Sequence, residues 1–151
     1  MLGATESLSG TYGRCTLNEA LSRWRLTVIE LEGSFDTEWI WEYHDELVPR
    51  DWLHAAWPLL KPRVRELRHL FLTDWDRRFI AATLPVLRAD GSPFTRNGRW
   101  WHSRYPRRIT GELGRDLPSG WSPAPIYVED AARRTAPPRR VGESRHDHES
   151  A

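Results

Sequence analysis

Between Thr16 and Pro85 the apolar residues return at every third or fourth position, which is the period of one helical face. Leu17, Leu21, Trp24, Val28 and Leu31 form the first stripe. Thr16-Leu17-Asn18-Glu19 before it is a capping box, in which the Thr hydroxyl accepts from the Glu19 amide and the Glu19 carboxylate reaches back. Gly33 is the expected stop. The β-branched run Thr27-Val28-Ile29 favours a strand, but the cap and the length of the stripe favour a helix. A second helix is expected over Thr37–Val48, capped by Ser34 or Asp36 and ended by Pro49, with Ile40, Tyr43 and Leu47 on one face. The alternation of Trp39, Trp41 and Tyr43 is its strand alternative. Asp51 is read as the cap of a short apolar piece, Trp52–Trp57, that Pro58 breaks.

Pro62 suits the first turn of a helix, with Val64, Leu67 and Phe71 as its buried stripe and Lys61, Arg65 and Arg68 along an adjacent face. Thr73 or Asp74 then starts a further helix, with Trp75, Phe79 and Ala82 in step up to Pro85. Stripes of this kind are covered by packing on one another. The expected class is therefore mainly α, a small bundle of four or five short helices.

From Leu87 the pattern changes. Asp90-Gly91-Ser92-Pro93 reads as a turn. Phe94-Thr95-Arg96 and Arg99-Trp100-Trp101 flank Asn97-Gly98, the strongest two-residue hairpin signal, so a β-hairpin with its tip at Asn97-Gly98 is expected. Pro and Gly interrupt the chain through Pro125, and Ile126-Tyr127-Val128 suits a last short strand. The expected organisation is a flexible arm (1–14), a single domain (15–128) and a disordered tail (129–151). Within the domain, 15–87 is the helical bundle and 88–128 a hairpin with a loop-rich, irregular C-terminal extension.

Composition adds three points. At 151 residues with mean hydropathy −0.65, the chain suits one domain. It has no apolar run of membrane-spanning length. Its start lacks the charged and apolar regions of a signal peptide, and Cys15 is the only cysteine, so a cytoplasmic location without membrane association is expected. Nine Trp suggest a small core filled by large rings. Finally, the net charge of +1 hides a split: residues 1–60 sum to −6 and residues 61–140 to +9. An acidic half and a basic half imply different partners, or attraction between the halves.

The candidate binding surface is the stretch Phe94–Arg108. Arg96, Arg99, Arg104, Arg107 and Arg108 surround Trp100, Trp101 and Tyr105. Arginine pairs with phosphate in a bidentate fork, and aromatic faces stack on unpaired bases. With Lys61, Arg65 and Arg68, these residues define an expected DNA or RNA contact surface. The function expected first is a non-enzymatic nucleic-acid-binding or regulatory accessory protein. The alternative is a protein-interaction module, a homodimer or adaptor, anchored by Trp100, Trp101 and Trp121. A third reading keeps the stretch inside the molecule, its arginines facing Glu38, Glu42 and Glu46.

No catalytic, cofactor or metal signature is expected. Glu42-Tyr43-His44-Asp45-Glu46 reads as a solvated acidic face, since His44 turns away from the carboxylates on a helix and no second ligand stands at zinc spacing. His69 with Asp74 or Asp76 could pair a base with its orienting carboxylate, but the pattern is common. Cys15, His146 and His148 carry no further signal.

Overall fold

The structure, a computed structural model, describes residues 14–94, 98–112 and 116–128. The expected arm (apart from Arg14) and tail lie outside these residues, as do Thr95, Arg96 and Asn97.

Helix α1 (Leu17–Gly33) begins where its capping box sets it. The Glu19 amide donates to Thr16 Oγ1 at 3.2 Å, and the Thr16 amide donates to Glu19 Oε2 at 3.3 Å. Its buried face is Ala20, Leu21, Trp24, Thr27, Val28 and Leu31. Burial of Thr27 and Val28 overrides their β preference. The Thr27 hydroxyl reaches the carbonyl oxygens of Arg23 and Glu46.

The expected helix over Thr37–Val48 does not form. Strand β1 (Phe35–Asp36) is followed by two 3-10 turns, Thr37–Glu42 and Asp45–Leu47. Pairing of β1 fixes the chain just before the first turn, and Asp36 Oδ1 accepts from the Glu38 amide at 3.0 Å. Ile40, Tyr43 and Leu47 still point inward, while Trp39 and Trp41 stay exposed. Pro49 does not end a helix. It sits in the first turn of α2 (Val48–Ala56), where its missing N–H would be unpaired anyway. Asp51 lies inside α2 and is not a cap.

Helix α3 (Pro62–Ala82) is a single helix of 21 residues, so neither Thr73 nor Asp74 begins a new one. No Pro or Gly follows Pro62 before its end, and nothing local breaks it. At about 32 Å long it is longer than α1 or α2. Its buried residues are Leu72, Phe79 and Ala82. The expected stripe Val64, Leu67 and Phe71 is not buried: no residue from Lys61 to Phe71 is, and Leu67 and Leu70 are 69% and 72% exposed.

The chain then returns over the helices. β2 (Thr83–Pro85) pairs antiparallel with β3 (Arg104–Pro106), Leu84 opposite Tyr105. A second sheet, in the order β1-β4-β5, is parallel: β4 (Arg108–Thr110) lies between β1 and β5 (Ile126–Tyr127). The hairpin reading needs correction. Trp100 and Trp101, expected in the second strand Arg99-Trp100-Trp101, lie instead in a 3-10 turn, Trp100–Ser103, because Trp101 sinks into the core. The tight antiparallel turn is at Arg88–Ser92, where the Arg88 amide donates to Ser92 O, Leu87 bridges Pro93 and Gly91 takes φ +83°. Asp90 Oδ1 accepts from the Ser92 amide at 2.8 Å.

The core runs from α1 and α2 to the last turns of α3, and takes in Phe35, Trp101 and Ile109. Trp24 packs on Phe79, which packs on Trp100. At the β4 end, Gly111 has φ +122°, and a Cβ there would collide with the Thr37 hydroxyl and crowd Asp36. Gly111→Ala is therefore expected to cost about 2 kcal/mol, from the backbone conformation and overpacking together. A urea titration checks this, and an unchanged midpoint would mean the site relaxes freely.

Candidate functional site

The aromatic half of the predicted surface is inside the molecule. Trp101 is 1% exposed and Tyr105 0%, so neither offers a face to a base. Trp100 is half-buried, edge-on to Phe79 and Trp101. Tyr105 stacks on Trp121 and donates its hydroxyl to Pro123 O at 2.7 Å. Arg104 is turned onto the end of α3. Its Nε donates to Thr83 Oγ1 at 2.8 Å, and its NH2 group reaches the carbonyls of Ile80 and Thr83 at 3.1 Å. A cation at those carbonyls opposes the negative end of the helix dipole.

Trp101, His102 and Arg99 converge on Asp51. Trp101 Nε1–H donates to Asp51 Oδ1 at 2.8 Å, and His102 Nε2 is 2.6 Å from the same oxygen. An Arg99 guanidinium nitrogen lies 4.0 Å from Oδ2. Burial alone would raise this carboxyl. The hydrogen bonds from His102 and Trp101, with the charges of His102 and Arg99, hold it below the usual carboxylate range. The residue before it, Arg50, forms a fork on Asp76, with Nε to Oδ1 at 2.9 Å and NH2 to Oδ2 at 3.0 Å. Trp24 Nε1–H donates to the same Oδ1 at 3.0 Å. The Arg50 guanidinium also lies 4.5 Å over the Trp101 ring. Trp101 thus connects two charged sites built from consecutive residues of α2.

The chain of groups continues outward from His102. Its Nδ1 stands 3.2 Å from His44 Nδ1, with the rings stacked. With a proton on His102 Nε2 facing Asp51, the neutral form of His102 has its lone pair at Nδ1, where His44 Nδ1–H can donate to it. This Asp–His–His series can hold or pass a proton between Asp51 and the surface. Beneath it, Tyr43 donates its hydroxyl to Arg104 O at 2.9 Å, and burial pushes its phenol up.

The series makes a pH prediction. Burial first, and then the neighbouring His102, lower the His44 pKa. A lowered folded value means that the unfolded chain takes up the proton first. The His44 contribution is therefore complete above the ordinary histidine value and is lost as pH falls from there through the folded one. Melting temperature should fall between about pH 7 and 5, and His44→Gln should flatten that part of the profile. An equal slope in the variant would place the titration elsewhere.

The other predicted residues are scattered. Lys61 and Arg68 are exposed and Arg65 half-buried along α3, and Arg107 and Arg108 are exposed on the β3–β4 strip. Arg96 lies outside the described residues. His69 and Asp76 both line a cleft of about 410 Å³ with His54 and Arg65, but Asp76 is engaged by Arg50, and Asp74 pairs with Arg77 on the surface at 3.6 Å. In the acidic run Glu42, Asp45 and Glu46 are exposed, as expected of solvated carboxylates, though on 3-10 turns and not on a helix, while Tyr43 is buried and His44 turns to His102. Among the described residues, no group of three or more His, Cys, Asp or Glu is placed to hold a metal ion, and no helix is long and apolar enough to cross a membrane.

Sequence reasoning missed Asp51 and Arg50 as a centre, and His102 as a member. A signal was present, since two adjacent charges open an otherwise apolar segment, Trp52–Trp57. Comparison with protein-family models, curated proteins and solved structures returns no significant match.

Proposed function

We propose that this chain is a protein-interaction module without catalytic activity, and that its contact surface is the N-terminal half of α3. The exposure of Leu67 and Leu70 supports this reading most directly. With exposed Phe71 they stand at i, i+3 and i+4, a contiguous apolar stripe. Grouped apolar side chains left in water mark contact surfaces. Of the anchors expected at Trp100, Trp101 and Trp121, Trp101 is buried in the core and the other two pack against it, so the anchoring role passes to this helix.

The test is a photo-reactive amino acid placed at position 70 of the full chain in the cells that make it, with position 81, at the far end of the same helix, as the control. A discrete protein adduct at 70 that is absent at 81 supports the module. No protein adduct at 70 overturns it.

Nucleic-acid binding is the second reading. It is favoured by Lys61, Arg65, Arg68, Arg107 and Arg108, none of which has a carboxylate partner among the described residues. It predicts affinity for short DNA or RNA duplexes that falls steeply with salt, with a slope reduced by about one for each of Arg65→Ala and Arg68→Ala. No binding at low salt would remove it. Leu67→Ser with Leu70→Ser separates the two readings, since only a protein contact depends on those side chains.

A further inference from the structure

We infer that the surface complementary to the α3 half is carried by the same chain, so that α3 of one copy seats in a groove between α1 and the start of α2 of a second copy. This rests on the interaction-module reading and names its partner. The groove encloses about 490 Å³. Its apolar part is Leu26, Val48, Pro49 and Trp52, and its carboxylates are Glu30, Asp45 and Glu46, with Arg23 the one cation lining it among the described residues. Leu26 and Val48 are exposed large apolar residues. Trp52 is buried, and its indole N–H has no acceptor among the described residues.

Charge selects the occupant. No ion pair engages Glu30, Asp45 or Glu46 among the described residues. Burial, and then the neighbouring Glu46, push the Glu30 carboxyl up, as expected of an acid short of a cation. The α3 half supplies the opposite sign. Lys61, Arg63, Arg65 and Arg68 stand against the single carboxylate Glu66, around the stripe Leu67, Leu70 and Phe71. An amphipathic helix laid in an apolar groove, read at i, i+3 and i+4, is a recurring recognition mode. Two α3 halves facing each other would set like charges together, whereas helix against groove pairs opposite ones. Within one copy both faces stay exposed, so they do not cover each other.

Each copy has one helix half and one groove. Where the two contacts are reciprocal they close a two-fold dimer, and where they are not they build larger rings or open chains. The test uses two variants of the full chain. Leu67→Asp with Leu70→Asp disables the helix, and Leu26→Asp with Glu46→Arg disables the groove. All four positions are exposed, so both variants should fold.

Light scattering and sedimentation of the wild type should show association beyond the 17.7 kDa monomer that rises with concentration and weakens with salt. Each variant alone should lose at least about tenfold in affinity. Their mixture should stop at a 1:1 pair, one intact groove holding one intact helix. A wild type that stays monomeric to about 1 mM at low salt overturns the proposal, as does a groove variant that still self-associates, which would place α3 against α3. The crosslink at position 70 keeps the two failures apart. An adduct with a different protein defeats the second copy and leaves the module standing, while no adduct defeats both.

Discussion

Asp51→Ala is expected to lower stability by about 3–5 kcal/mol, the range for removing one member of a buried charged network. One carboxylate holds the Trp101 indole at 2.8 Å and His102 at 2.6 Å, with Arg99 at 4.0 Å. Its side chain is only 9% exposed. Truncation leaves the Trp101 N–H in the core without an acceptor, which alone costs about 1–3 kcal/mol. It also frees the Trp100–Ser103 turn from α2. For a domain of this size, melting temperature should drop by on the order of 10–20 °C. Asp51→Asn keeps an acceptor for Trp101 and removes the charge, so it should fall between wild type and Ala. A loss below about 1 kcal/mol for the Ala variant would mean that packing, and not the carboxylate, holds the turn.

The second large effect is expected at Asp76→Ala, also about 3–5 kcal/mol. The Arg50 fork on Asp76 is 10% and 17% exposed on its two sides. Without the carboxylate, Arg50 keeps its charge in the interior with only the Trp101 ring beneath it, and the Trp24 N–H loses its acceptor. Arg50→Met in the Asp76→Ala background should recover part of the loss, because an apolar side chain needs no counter-charge there. Since Arg50 and Asp51 both act on Trp101, the double variant Asp51→Ala/Asp76→Ala should cost less than the sum of the singles, by about 0.5–3 kcal/mol. Chemical denaturation of the four species closes this cycle. Strict additivity would mean that the two sites are independent.

What could be read in advance was local. The capping box Thr16/Glu19 and the stripe from Leu17 to Leu31 depend on neighbours within a few residues, and both stand in α1. So do the mainly helical class and the short strand at Ile126. The hairpin shows where local reading stops. Asn97-Gly98 is a good turn signal, and nothing local says that Arg99-Trp100-Trp101 after it will not form a strand. Trp101 decided it by entering the core, which drew Trp100–Ser103 into a 3-10 turn. The same holds for the site. Charges can be counted in sequence, but Asp51 becomes a centre only because a segment some 50 positions later returns across α2. The burial of Leu67 and Phe71 failed for a related reason. Periodicity shows that a face is apolar, and only the lengths of the neighbouring helices show whether anything covers it.

The return of β3 and the Trp100–Ser103 turn over the helices bears on how the chain folds. Tyr43 finds its acceptor 61 positions away, Trp101 finds Asp51 50 away, and β1 pairs with β4 across α2 and α3. Contacts of such span form late and slowly, because the loop must close before they stabilise anything. A nascent chain that has emerged only to Pro93 holds α1, α2 and α3 but leaves Asp51 and Tyr43 without the groups that satisfy them. Ordered packing therefore waits for Arg108–Thr110 to leave the ribosome. Truncations that keep the helices but end before Trp101 should yield helical chains without a fixed core.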